Sequence, residues 1–143
     1  VTTTAHHGVG LIVSNHARTR FYVQQKDASY PHYPRAYSLF GGSCEPDEAP
    51  ALALARELVE ELEHAARALL AAGPCLVGQH TVGPTRFAYS LFEVAITDAQ
   101  LEELGRAPVF EGERGAVVTR AQLRSLPFIW GLEVVIIAYL ERR

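Results

Sequence analysis

Methionine is absent from this sequence, even at its first position, and tryptophan occurs once. Val1 is therefore expected to mark a valine-type start. Cysteine is scarce. Cys44 and Cys75 are too few for the disulfide framework of a small secreted domain, and they read as reduced thiols. Long apolar runs are missing too. The longest, "VVIIAYL", is far too short to cross a bilayer, and "VTTTAHH" lacks the positive segment and apolar core of a signal peptide. Nor is there a strong excess of either charge. A net charge of -3 gives no reason to expect a nucleic-acid polymer or an anionic membrane as partner. Together these absences predict a cytoplasmic protein. A small anionic substrate would need a local positive site or metal ions.

What is present suits a folded core. The 143 residues, 48% hydrophobic and 20% charged, fit one compact domain over residues 1–143. "GVGLIVSN" (Gly8–Asn15) is apolar and β-branched, and reads as a buried strand. "TRFYVQQ" (Thr19–Gln25) alternates as its hairpin partner would. Two prolines and three tyrosines make Lys26–Tyr37 a loop, and "SLFGGSCEPDE" reads as a short strand running into a glycine-rich loop. Strands follow at Cys75–Val82 and Arg86–Ile96, with a turn at Gly83-Pro84, and a brief one at Gly115–Thr119. Short helices are expected at Asp98–Gly105, capped by Thr97 or Asp98, and at Arg120–Leu126. Val and Ile in the last segment, from Trp130 to Arg143, favour a strand; its length and terminal arginines favour a helix, which is the assignment made. Strands alternating with helices predict an α/β fold, a mixed sheet with helices on both faces.

The strongest helix is "EAPALALARELVEEL" (Glu48–Leu62). At about 100° per residue, Glu57, Glu60 and Glu61 fall within an arc of about 100°. Ala51, Ala55, Leu58, Val59 and Leu62 then form the expected core-facing stripe on the other side. Like charges one turn apart cost about 0.2–0.5 kcal/mol per pair, so a plain solvated acidic face is affordable. Such a face also offers the hard oxygen donors that Mg²⁺ prefers.

The loop ahead of the helix decides between these readings. From Gly42 to Glu61 the chain follows G-x5-E-x7-R-E-U-x-E-E, with U apolar, on Gly42, Glu48, Arg56, Glu57, Glu60 and Glu61. At average residue frequencies, six such matches at one place arise by chance on the order of once in ten million. The pattern resembles the Nudix box, the defining motif of the Nudix hydrolases. Two departures stand out: Glu63 and His64 occupy the places of a closing glycine and an apolar residue. Without that glycine the helix is expected to run on through "HAARALLAAG" toward Gly73.

The resemblance implies a Nudix-type α/β/α sandwich and metal-dependent hydrolysis, with Mg²⁺ or Mn²⁺, of a diphosphate linkage in a nucleoside diphosphate derivative. It implies Glu60 and Glu61 as principal metal ligands, Glu57 as a ligand or as the base that orients water, and the Gly41 carbonyl as a backbone ligand. Arg56 is implied as the residue that holds the glutamates through charge-assisted hydrogen bonds; its plainer reading is an i,i+4 pair with Glu60. Glu48 is expected to be structural. A further acidic ligand is expected from "FEGERGAVV", with Glu111 preferred over Glu113. Tyr33, Arg35 and Tyr37, in the loop before the box, are the candidate substrate-binding residues: rings to stack on a base and a guanidinium to meet a phosphate. Trp130 is expected in the core. A non-catalytic nucleotide-sensing module is the alternative, and a diphosphate isomerase using Cys44 a more distant one. A homodimer is left open.

Overall fold

The computed structural model describes residues 6–142. Val1 and Arg143, on which the expectations for the two chain ends rest, lie outside them. The described residues form seven strands and five α-helices. In chain order these are β1 (His7–Asn15), β2 (Arg20–Gln25), β3 (Tyr37–Ser38), β4 (Phe40–Ser43), α1 (Pro50–Leu62), α2 (Ala66–Ala71), β5 (Cys75–Val82), β6 (Phe87–Ile96), α3 (Asp98–Arg106), β7 (Arg114–Thr119), α4 (Arg120–Ser125) and α5 (Leu132–Arg142).

The strands make one mixed sheet. Its main order is β3-β2-β1-β6-β5, with β4 paired to β1 and β7 paired to β2. β1 runs parallel to β6 along its whole length, from His7 opposite Ala88 to Asn15 opposite Ile96. On its other edge it meets β2 only at Val13 and Ser14, and β4 at Gly8 to Leu11. The sheet therefore splits beside β1, and β4 enters the split.

Alternation along the strands feeds two cores. Val9, Leu11, Val13 and Tyr22 pack with Leu54, Leu58 and Leu62 of α1, Leu69 of α2 and Leu101 of α3. Ile12, Phe21 and Val23 pack on the opposite face with Leu123 of α4 and Leu132, Val135 and Ile136 of α5. Helices thus cover both faces, and the expected α/β/α sandwich is what the chain forms. Each of the buried leucines Leu54, Leu58 and Leu62 contributes about 1.5–3 kcal/mol of burial.

Three local expectations are corrected. First, α1 does not run on to Gly73. It starts with Pro50 in its first turn, where a missing N–H costs nothing, and ends at Leu62. Glu63 takes φ 49°, ψ −118°, a 3-10 turn spans Glu63–Ala65, and α2 follows. The helix thus stops at the place of the expected glycine although a glutamate stands there. Second, the core-facing stripe of α1 is rotated. Ala53, Leu54, Leu58, Glu61 and Leu62 are the buried residues, whereas Val59 is 50% exposed and Ala51 is exposed. The sheet is met by the arc centred near Leu54, Leu58 and Glu61, so one of the three carboxylates faces inward. Third, the last helix begins at Leu132, because Trp130 and Gly131 both have positive φ, 51° and 77°.

Candidate active site

The site begins where β4 inserts beside β1. Gly41 lies opposite Gly10, and Gly42 opposite Val9. Gly41 has φ +148°, and a Cβ there would sit 2.1 Å from the Val9 carbonyl oxygen, so no other residue fits without moving the strand pair. A Cβ on Gly42 would sit 2.4 Å from Cδ of Glu57. The two glycines therefore differ in what they permit: Gly41 lets two backbones approach, and Gly42 leaves room for a carboxylate.

Glu61 points into the space between α1 and the sheet and is 1% exposed. It accepts hydrogen bonds from the Gly41 N–H at 2.8 Å and from the Gln24 side-chain amide at 3.2 Å. Burial, and next the hydrogen bond with the Glu111 carboxyl, push its pKa up to about 9; the Gly41 N–H opposes them. Glu57 is also raised, first by burial, with the charges of Glu60 and Glu111 adding to it and the Arg56 hydrogen bond opposing. Glu60 stands outside this cluster, 58% exposed, with a long contact of 3.4 Å to Arg56.

Arg56 binds much more than its i,i+4 neighbour. Its Nε and Nη2 fork onto Glu48 at 2.9 and 2.8 Å, Nη2 also donates to the Ser43 carbonyl at 2.9 Å, and Nη1 donates to Glu57 at 3.0 Å. One guanidinium thus ties the glycine loop, the Glu48 turn and the acidic face of α1 together. The Arg56 hydrogen bond, followed by the Glu45 N–H, holds the Glu48 carboxyl down to about 2.

The second acidic element is the loop before β7. The Phe110 N–H donates to the Glu61 carbonyl at 2.8 Å, and the Glu111 carbonyl accepts from Gln24 at 3.0 Å. Glu111 and Glu57 both line a cleft of about 580 Å³, together with Gly41 and Gly42. Its aromatic lining comes from Tyr30, Phe87, Tyr89 and Trp130, with Tyr89 packed beside Gly8 and Gly10 of β1. Lys26 is the one lysine or arginine among the described residues that line it. Its Nζ lies 5.0 Å from the Tyr30 ring centre, and the Tyr30 hydroxyl accepts from the Trp130 indole at 3.0 Å.

Of the residues expected from the sequence, Gly41, Glu57 and Glu111 line this cleft, Glu61 lies buried beneath it, and Arg56 and Glu60 flank it. Tyr33, Arg35 and Tyr37 do not line it. Tyr33 backs Trp130, with ring centres 4.9 Å apart. Arg35 is 61% exposed and pairs with Glu113 at 3.2 Å. Tyr37 sits in β3 with its ring tilted against Phe128. Lys26, Phe87, Tyr89 and the cleft face of Trp130 escaped sequence reasoning. Only Lys26 carried a usable cue, as a cation at the end of a strand aimed at the box. Cys44 is half-buried, and its thiol is pushed up, first by burial, the reverse of what activates a thiolate.

Among the described residues, no three His, Cys, Asp or Glu side chains form a group ready to hold a metal ion. The chemistry of the donors nevertheless fits a hard cation. Glu57 is half-buried and Glu61 fully buried, the charge of the exposed Glu111 works against the ionisation of both, and the donor atoms of all three are oxygen.

A family model described as NUDIX domain matches residues 4–128. No curated protein matches the sequence. Among solved structures, the chain is similar to MutT as analysed from Aliivibrio salmonicida and Vibrio cholerae, at 18% identity over 98% of this chain and 100% of that one, TM-score 0.71. A mutT/nudix family protein from Listeria innocua is similar at 12% identity over 99% and 95%, TM-score 0.69. The E. coli dihydroneopterin triphosphate pyrophosphohydrolase is similar at 15% identity over 96% of each chain, TM-score 0.66. At these identities the likeness is one of fold. No helix among the described residues is long and apolar enough to cross a membrane.

Proposed function

This chain belongs to the Nudix family, and from that premise we propose that it is a metal-dependent diphosphohydrolase acting on a nucleoside diphosphate derivative. Family membership implies hydrolysis of such derivatives, and the proposal adds the metal, the residues that would hold it and a cytoplasmic setting. The observation that carries it is that the Gly41-Gly42 strand, Glu57 and Glu111 line one cleft together with the aromatic rings of Tyr30, Phe87 and Trp130.

In this reading Glu57, Glu61, Glu111 and the Gly41 carbonyl would hold Mg²⁺ or Mn²⁺, with Glu60 turning in from its exposed flank to join them. The ion would neutralise the diphosphate oxygens and lower the pKa of the attacking water. Glu57, packed against Gly42 and ion-paired to Arg56, is placed to orient that water or accept its proton. Glu61 reaches the site from below, so its carboxylate must lose its proton to act as a ligand. Arg56 touches no substrate; it fixes the direction of Glu57 and of the loop carrying Ser43. Tyr30, Phe87 and Trp130 offer flat apolar surface for a base, and Lys26 offers a charge for a phosphate. Catalysis of this kind depends on positioning and charge stabilisation rather than on a covalent intermediate.

The test is phosphate or pyrophosphate release over a panel of nucleoside triphosphates, nucleotide sugars and dinucleoside polyphosphates, with Mg²⁺ and with Mn²⁺. Metal-dependent release on one class is expected. Glu61→Gln is expected to keep the fold and lose at least tenfold in turnover, because the site loses a charged ligand. Wild-type turnover in that variant sinks the assignment of Glu61. Nucleotide binding without release across the panel would favour the sensing module instead.

A further inference from the structure

Gln24 is fully buried, on the face of β2 that also carries Tyr22. Its amide nitrogen donates twice: to the Glu61 carboxylate at 3.2 Å and to the Glu111 carbonyl at 3.0 Å. Its own carbonyl oxygen is buried and has no hydrogen-bond partner. An orphaned buried acceptor costs stability, and an apolar residue of the same length would avoid that cost. Packing alone therefore does not account for an amide at this position. Its donor side does, because it bridges two elements that no covalent path shorter than the Glu61–Glu111 segment connects.

The same loop is pinned at neighbouring points. The Phe110 N–H reaches the Glu61 carbonyl at 2.8 Å, and the Glu113 N–H reaches the Gln25 carbonyl at 2.8 Å. Gly112 has φ +79°, and a Cβ there would come within 2.8 Å of the Gln25 carbonyl oxygen and 3.1 Å of the Gln24 side chain. The loop thus lies directly on the end of β2. Gln24 is the one of these contacts that reaches a carboxylate. The others fix backbone to backbone.

We propose that Gln24 is a positioning residue, which clamps the Glu61 carboxylate to the loop bearing Glu111 so that the two acidic elements face the cleft at a fixed separation. The proposal rests on the reading of these glutamates as metal ligands. Without the clamp the Glu111 loop has more freedom, and metal binding must order it.

The experiment uses Gln24→Met, which keeps the length and removes the donor, beside Gln24→Asn, which keeps an amide too short to reach both partners. Gln79→Met, in β5, is the control. Two readouts are taken on each protein: Mn²⁺ affinity, from free Mn²⁺ by electron paramagnetic resonance, and amide hydrogen exchange at Phe110 and Glu113. The expected result is wild-type binding of Mn²⁺, a loss of at least tenfold in affinity in both Gln24 variants, and faster exchange confined to that loop. The Gln79 variant should behave as wild type. Unchanged affinity and unchanged loop exchange in a folded Gln24→Met or Gln24→Asn overturns the clamp and leaves the metal reading standing. A wild-type protein that binds no Mn²⁺ overturns both, and is told apart by the wild-type titration alone. A uniform rise in exchange over the whole chain, without a specific loss of affinity, would show a merely structural residue and also overturns the clamp.

Discussion

Gly42→Ala separates the function of the glycine loop from its fold. Nothing in the Gly42 backbone excludes alanine, since its φ lies outside the left-handed region, but the new methyl would sit 2.4 Å from Cδ of Glu57 and 2.6 Å from both carboxylate oxygens. Ordinary contact between such atoms begins near 3.4 Å. The Glu57 carboxylate must therefore retreat by about 1 Å, which it can do at modest cost, being the end of a flexible side chain. A misplacement of about 1 Å in a reacting group costs on the order of 10²-fold in rate, which is about 2.7 kcal/mol of barrier. The expected outcome is a kcat/KM about 10²-fold below wild type with stability changed by no more than about 1 kcal/mol. Gly41→Ala provides the contrast. Its Cβ would strike the Val9 carbonyl at 2.1 Å, backbone against backbone, at φ +148°. Overpacking and strain there sum to several kcal/mol, a large part of the stability of a domain. Urea denaturation and steady-state turnover on the two variants are sufficient. A Gly42→Ala enzyme with wild-type kcat/KM, or a Gly41→Ala protein as stable as wild type, would refute the geometric reasoning.

Three further outcomes are expected. Glu63→Gly should stabilise the protein by about 1 kcal/mol, raising Tm by about 2–4 °C, because glycine adopts φ 49°, ψ −118° without the strain a Cβ imposes; Glu63→Ala, which keeps the Cβ, should give none of that gain by calorimetry. The raised Glu61 carboxyl keeps its proton in the folded metal-free protein up to about 9, so its contribution to stability is full below the ordinary carboxylate range and fades as pH rises toward 9. Metal competes for that carboxylate, so Mg²⁺ affinity should climb by up to tenfold per pH unit between about 6.5 and 8.5; titrations giving one affinity at all pH values would contradict it. Arg56→Lys should lose turnover although the charge is kept, because an ammonium cannot fork onto Glu48 while also meeting Glu57 and the Ser43 carbonyl; wild-type kinetics in that variant would show that charge alone is enough.

The sequence by itself determined the elements whose information is local. Thr97 and Thr119 each begin a helix with a capping box, an arrangement contained within a few residues. The spacing of Arg56, Glu57, Glu60 and Glu61 was equally legible, since 3.6 residues per turn fix the angles between neighbours. That arithmetic does not fix how the helix is turned against the sheet. Only the tertiary structure rotated α1 so that Glu61 entered the interior, where Gly41 and Gln24 meet it, while Val59 went to solvent. The stop at Leu62 was likewise not legible, because Glu63 is held in a conformation its own propensity opposes. The cleft wall was hidden for a third reason. Lys26, Phe87 and Trp130 belong to segments far apart in the chain, and only the sheet order and the left-handed turn at Trp130 and Gly131 bring them to the same cleft.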